Sequence, residues 1–243
     1  MTQPSSSLVN RRNWVLGAGA AGMSALLARS AAAAPAAAPA GAALLSDPGL
    51  APPWSPVLRR MCRGTPSNIQ GPFYLDLDLL RRDITEGKPG LALTLVYQVV
   101  RVADCSPIPG AVVDVWHNDA LGSYSGFASQ GTAGQTWLRG IQIADSHGLV
   151  LFDTIYPGWY PGRTTHVHVK VMPTMTTELT TQFYFEDFIS NAVYLQLPPY
   201  DQKGPNPTSN DQDAFYTPET KMPWMRDPNG PLHLFAGLRI GIH

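Results

Sequence analysis

The sequence predicts an all-β fold, a two-sheet antiparallel β-sandwich with long loops, and three observations predict it. Glycine and proline supply 22 and 23 of the 243 residues, which punctuates the chain too often for a helical bundle. From Leu91 onward, short stretches rich in β-branched and aromatic residues recur between turn signals, the pattern of a sandwich. The last stretch, Leu232–Ile242, places Leu234, Ala236, Leu238, Ile240 and Ile242 on one face, as in a strand that buries one side.

The elements follow in order. Leu91–Val102 and Ala111–His117 are strand-like and are separated by Ala-Asp-Cys-Ser-Pro-Ile-Pro-Gly, a turn signal. Trp137–Ala144 and Leu149–Ile155 flank Asp145-Ser146-His147-Gly148, a hairpin-like break. His166–Val171 alternates strictly, and Gln182–Glu186 is a short aromatic-rich strand. Residues 41–70 read as an irregular, proline-rich segment with one short helix near Pro56–Cys62. Residues 197–231 are polar and rich in Pro and Asn, as expected of a long surface excursion. Residues 71–243 then form the sandwich domain, with no internal repeat and no second domain.

The first forty residues read as an address. Arg11-Arg12 precedes a mildly apolar stretch broken by Gly17, Gly19 and Gly22, then alanine-rich sequence. This order of charge, short apolar core and small residues is that of a signal peptide, and the adjacent arginines resemble a twin-arginine export signal. An uncleaved anchor fits less well, because the core is short and interrupted. Export to the periplasm or the medium is expected. Loss of Arg11, Arg12 and Arg29 takes the net charge from −1 to −4. Gly17–Gly22 spells GxGxxG, but no strand precedes it and the first acid is Asp47, so no dinucleotide site is expected. The near-neutral charge excludes a basic nucleic-acid footprint. In an oxidising compartment Cys62 and Cys105 read as a disulfide; two buried free thiols are the alternative.

Chemistry concentrates in residues 124–168. Successive strand residues point to opposite faces, so His166 and His168 project together, about 7 Å apart at Cα, with Val167, Val169 and Val171 behind them. Two imidazoles on one strand face are half of a metal site, although HxH alone also fits two half-exposed histidines. Tyr156 and Tyr160 stand in a Pro/Gly-fixed loop just upstream, and Tyr124 lies in the Gly/Ser loop that follows Trp116. Phenolate is a hard anionic donor, so two His with two Tyr favour Fe(III) over Fe(II) or Zn(II). Aromatic packing is the plainer reading of the tyrosines. His117, His147, His233 and His243 have no partner at ligand spacing and read as structural or surface residues.

The segments Gly71-Pro72-Phe73-Tyr74, Trp116–Gly126, Tyr160-Pro161-Gly162-Arg163-Thr164-Thr165-His166-Val167-His168 and Thr181-Gln182-Phe183-Tyr184-Phe185 together resemble the intradiol ring-cleavage dioxygenases, which include the catechol and protocatechuate 3,4-dioxygenases. The likeness covers about residues 60–190. It implies Tyr124 and His166 as equatorial ligands of Fe(3+), and Tyr160 and His168 as axial ones. It implies Arg163 as the cation beside the substrate, Gln182 as a lining residue of the same pocket, and Gly71–Tyr74 at the pocket mouth. Tyr156 ranks behind Tyr160 because it falls outside the Tyr-Pro-Gly-Arg register. The implied reaction opens a catechol-type ring between its two hydroxyl-bearing carbons with O2, giving a cis,cis-muconate-type diacid. In it Tyr160 leaves the metal and takes a substrate proton, as a strong base.

Unlike typical catechol dioxygenases, the chain has no long N-terminal helical region, so their dimer is not expected and the oligomeric state stays open. The short step from Tyr160 to His166 implies an open pocket suited to bulky catechols. Two other readings compete with the enzyme: an exported sandwich that binds partners without catalysis, and a periplasmic copper or zinc carrier. All four donor positions are filled, against the first. No Met or Cys donor stands beside the histidines, against the second.

Overall fold

The computed structural model describes residues 52–58, 62–173 and 179–243. The export-signal reading of residues 1–40 and the GxGxxG run lie outside the described residues.

The β-branched stretches form strands β1 (Ala92–Arg101), β2 (Val112–Trp116), β3 (Arg139–Ile143), β4 (Leu149–Ile155), β5 (His166–Met172), β6 (Leu179–Tyr184), β7 (Trp224–Arg226) and β8 (His233–Ile242). They build two four-stranded sheets, ordered β4-β1-β8-β7 and β3-β2-β5-β6. Alternate residues of both sheets meet in the core: Leu93, Leu95, Tyr97 and Val99 of β1, Leu234 to Ile240 of β8, Val113 and Val115 of β2, and Val167, Val169 and Val171 of β5. The sheets thus pack as a sandwich, each burying the apolar half of its period-2 pattern.

The second sheet is antiparallel throughout. The first is not, which corrects the expected arrangement: β1 and β8 run parallel, with Leu93 opposite Leu234 and Leu95 opposite Ala236. A parallel pair needs a crossover rather than a hairpin, and here the crossover includes the whole second sheet. Local turn signals carry no information about such a partner.

Three further elements depart from expectation. The strand expected at Gln182–Glu186 is β6, which begins at Leu179 and ends at Tyr184; a helix, α1 (Asp187–Gln196), follows at once. The short helix near Pro56–Cys62 is a 3-10 turn at Ser55–Leu58. Its Val57 and Leu58, with Trp54, cover the outer face of the first sheet at Val96, Leu149 and Phe235. The stretch 197–231 is no loose surface excursion. Tyr200, Asn210, Asp213, Thr220 and Met222 in it are buried, and β7 adds it to the first sheet. The Tyr200 hydroxyl donates to the Tyr156 carbonyl at 2.6 Å and accepts from the Leu91 N–H. Among the described residues no helix is long and apolar enough to cross a membrane.

A strap, residues 64–84, crosses the outer face of the second sheet. The Asn68 N–H donates to the Thr180 carbonyl on edge strand β6, and the Arg81 N–H donates to Ile141 on the opposite edge strand β3. The start of the strap is tied down by a Cys62–Cys105 disulfide, so the free-thiol alternative does not hold. Closing a loop with a sequence separation of 43 residues stabilises the fold by about 4 kcal/mol in the chain-entropy account.

Under the strap Asp114 is 6% exposed. Burial pushes its carboxyl up from 3.8 to about 7, although a hydrogen bond from Tyr74 and the charges of Lys170 and Arg139 oppose the shift; Asp76 adds to it. Native Asp114 therefore holds its proton across a window in which the unfolded chain has lost it. Its contribution to stability is lost as pH rises from 3.8 toward 7. An Asp114→Asn variant has no carboxyl to ionise and so escapes this pH dependence. Measured by urea unfolding, its stability relative to the parent should improve by roughly 2–3 kcal/mol between about pH 5 and about pH 8. A constant difference across that range would refute the assignment.

Candidate metal centre

Strict alternation in β5 sends His166, His168 and Lys170 to the outer face of the second sheet while Val167, Val169 and Val171 enter the core. The register then brings neighbours beside them: His168 lies between Trp116 of β2 and Gln182 of β6, and His166 lies opposite Tyr184. Both imidazoles are buried, and their Nε2 atoms face each other at 3.2 Å. The loop from β4 to β5 returns Tyr160 to the same point, its Oη 3.1 Å from His166 Nε2. Tyr124 enters from the connection between β2 and β3. Its ring centroid lies 5.8 Å from that of Tyr160 and 6.2 Å from that of His168.

These four side chains are the sequence-derived ligand set, and the fold gathers them. Tyr156, the rival to Tyr160, goes elsewhere: it is wholly buried in the core, its hydroxyl paired with Ser190 Oγ at 2.8 Å. His117 is structural, with Nδ1 on the Asn118 carbonyl and Nε2 on Thr154 Oγ1.

The donor set fits a cation. His166 Nδ1 donates to the Thr164 carbonyl at 2.6 Å, which fixes the tautomer and leaves the Nε2 lone pair aimed at His168. Burial lowers the His166 pKa to about 3, with the nearby Arg163 charge adding to the shift, so the ring is neutral. His168 is likewise held well below the ordinary imidazole value, by burial and then by His166. Burial raises both phenols, Tyr124 well above the ordinary value and Tyr160 against the opposing pull of Arg163. The Tyr124 hydroxyl is buried and has no hydrogen-bond partner among the described residues. Such an orphaned oxygen is costly unless something binds it. A cation among the four atoms would use two imidazole lone pairs and reverse the phenol preference, because a bound metal inverts local pKa logic. Two phenolates with two neutral imidazoles best match a hard trivalent ion.

Around this point stands a polar frame. Arg163 Nε pairs with the buried carboxylate of Asp213 at 2.8 Å, and Nη1 reaches Tyr160 Oη at 3.4 Å. Nη2 donates to Gln182 Oε1 and to Tyr184 Oη. Gln182 is held in turn by its Nε2, which donates to the Ile69 carbonyl of the strap. Phe73 of the strap stacks on Tyr124, centroids 4.3 Å apart, and meets Tyr160 edge-on. The Gly71–Tyr74 segment thus lies against the donors themselves. Sequence reasoning missed Asp213, whose Oδ2 also accepts the Thr164 N–H. No local signal marks it, since it sits in polar sequence far along the chain from Arg163.

Residues 66–191 match a family model described as dioxygenase. The chain belongs to the intradiol ring-cleavage dioxygenases. Among curated members, it is 31% identical over 154 residues to the chlorocatechol 1,2-dioxygenase of Pseudomonas sp. strain P51, covering 51% of this chain and 57% of that protein. With catechol 1,2-dioxygenase 1 of Acinetobacter lwoffii the identity is 30% over 146 residues, covering 51% and 47% respectively. The chain spans about half the length of the curated relatives it matches. A solved intradiol ring-cleavage dioxygenase from Tetranychus urticae superposes with a TM-score of 0.68 at 29% identity, covering 75% of this chain and 95% of that one. The dioxygenase match spans all four donors, Arg163 and Gln182, but ends short of Asp213.

Proposed function

We propose that this intradiol dioxygenase holds Fe(3+) on Tyr124, Tyr160, His166 and His168, and that it opens a catechol-type ring between the two hydroxyl-bearing carbons with O2, giving a cis,cis-muconate-type diacid. One observation carries the reading: buried imidazole and phenol donors converge where His166 Nε2 lies 3.2 Å from His168 Nε2 and 3.1 Å from Tyr160 Oη. We further propose that residues 1–40 export the enzyme by a twin-arginine route.

A ferric ion held by Tyr124, Tyr160, His166 and His168 would supply Lewis acidity, making a catechol-type ring more reactive toward O2. The remaining roles belong to the protein. An ortho-diphenol binding as a dianion must shed two protons. Tyr160 would accept one at Oη, where Arg163 Nη1 stands 3.4 Å away as a counter-charge for its phenolate. A hydroxide ion from solvent would take the other and leave as water. Tyr124, stacked on Phe73 and wholly buried, would serve as a fixed ligand. Arg163 is aimed by Asp213 so that Nη1 and Nη2 face the site, where they favour build-up of negative charge on the ring. Gln182 and Tyr184 hold the guanidinium in plane.

Iron analysis and oxygen uptake on the purified protein test this. Tyrosinate-to-iron charge transfer should colour it burgundy, and the band should shift on adding a catechol. Catechol, protocatechuate, hydroxyquinol and a bulky aryl-glycerol catechol form the substrate panel, with turnover of the bulky one expected from the short Tyr160–His166 loop. A colourless iron-loaded protein, or no uptake with any of the four, overturns the reading.

A further inference from the structure

The two imidazoles at the centre are oriented by different means. His166 is fixed by its Nδ1 hydrogen bond to the Thr164 carbonyl. His168 Nδ1 is buried and has no hydrogen-bond partner among the described residues. A metal-bound imidazole ordinarily uses its second nitrogen to set tautomer and ring angle. In His168 something else must do so.

We infer that Trp116 is a positioning residue for His168, holding the ring in its ligating orientation by stacking, with Gly71 closing the open edge. The inference rests on the ferric reading above. The indole lies face to face with the imidazole, centroids 5.0 Å apart and planes 7° apart. Rotation of the imidazole about Cβ–Cγ drives it into the indole. On the Cε1 edge the strap passes so close that a Cβ on Gly71 would stand 3.1 Å from Cε1, at a φ of +74° that side chains rarely adopt. Trp116 is wedged in turn by Tyr74, edge-on at 4.7 Å, and Lys170 Nζ lies 4.1 Å from the Tyr74 ring centre. The indole Nε1 is itself buried without a partner among the described residues. Trp116 therefore acts here through its flat face and not through its N–H. The strap, the part of the chain nearest solvent at this point, is thereby coupled to the angle of one ligand.

Chelator competition on the purified holoprotein tests the assignment, with circular dichroism to establish folding and the visible band as a second readout. Trp116→Leu removes the flat face and should bind iron about 10- to 100-fold more weakly, the range for lost outer-sphere support, with a displaced tyrosinate band. Trp116→Phe keeps a stacking ring and forfeits no hydrogen bond, so it should restore affinity to within about threefold of the parent. Gly71→Ala leaves the core intact and should weaken iron about tenfold by pressing on Cε1. A merely structural tryptophan would instead lower the melting temperature in both Trp116 variants and leave competition unchanged. Parent-like affinity in folded Trp116→Leu overturns the inference; should that variant not fold, parent-like affinity in Gly71→Ala does so. A parent protein that retains no iron overturns the ferric reading itself.

Discussion

Replacing His166 with alanine is expected to leave a folded protein that retains no iron and takes up no oxygen with any ortho-diphenol. His166 contributes the atom on which the site is centred: its Nε2 is 3.1 Å from Tyr160 Oη and 3.2 Å from His168 Nε2. Loss of outer-sphere support around a metal ligand costs about 10- to 100-fold in affinity, so removing a direct ligand should exceed that. The fold should survive because β5 is anchored by Val167, Val169 and Val171 in the core, which the substitution leaves untouched. The stability cost includes about 1–3 kcal/mol for the Thr164 carbonyl losing its donor, together with the lost packing of the ring against Tyr160, His168 and Tyr184. Tyr156→Phe is the matched control. It removes one buried hydrogen bond to Ser190, costs about 1 kcal/mol, and should keep both colour and turnover. Metal content after gel filtration and an oxygen electrode read both variants. Iron-replete His166→Ala would remove the centre from where the four donors converge.

The second large effect should come from Asp213, a residue with no place in the sequence-derived site. Its side chain is fully buried, and that of Arg163 is 13% exposed, so the pair is shielded from water. Asp213→Ala leaves the guanidinium buried without a counter-charge and the Thr164 N–H without its acceptor. Breaking a buried pair from one side costs about 3–5 kcal/mol. The chemistry should suffer as well, because the charged Nε bond to Asp213 is the ion pair that helps turn Nη1 and Nη2 toward Tyr160 and Gln182. A displaced guanidinium of this kind is expected to lower kcat about 100-fold, with a smaller effect on KM. Asp213→Asn keeps an acceptor for the Thr164 N–H and should fall between the two. Denaturant unfolding and steady-state oxygen uptake give the two numbers. Unchanged kcat in folded Asp213→Ala would mean that Arg163 is aimed by something else.

Much of this molecule was readable before folding. The strand at Leu149–Ile155 was legible to the residue, and His166–Val171 missed β5 by Met172 alone, because both carry a clear β pattern between turn signals. The helix Asp187–Gln196 was missed. It opens directly behind the aromatic end of β6, and its N-cap, Glu186, makes no side-chain capping bond that would announce it. Strand β7 spans Trp224–Arg226 and exists by pairing with β8, so it has no pattern of its own.

By itself the sequence determined whatever depends on neighbours along the chain. Period-2 alternation puts His166 and His168 on one face, and a turn of a few residues keeps Tyr160 and Arg163 within reach of them. Only the tertiary structure decided the parallel β1–β8 pairing, the approach of Tyr124, the Trp116 stack and the Asp213–Arg163 ion pair. Each joins residues well apart in the chain, so each depends on loop closure repaid by packing of the whole sandwich, and no local propensity records that balance.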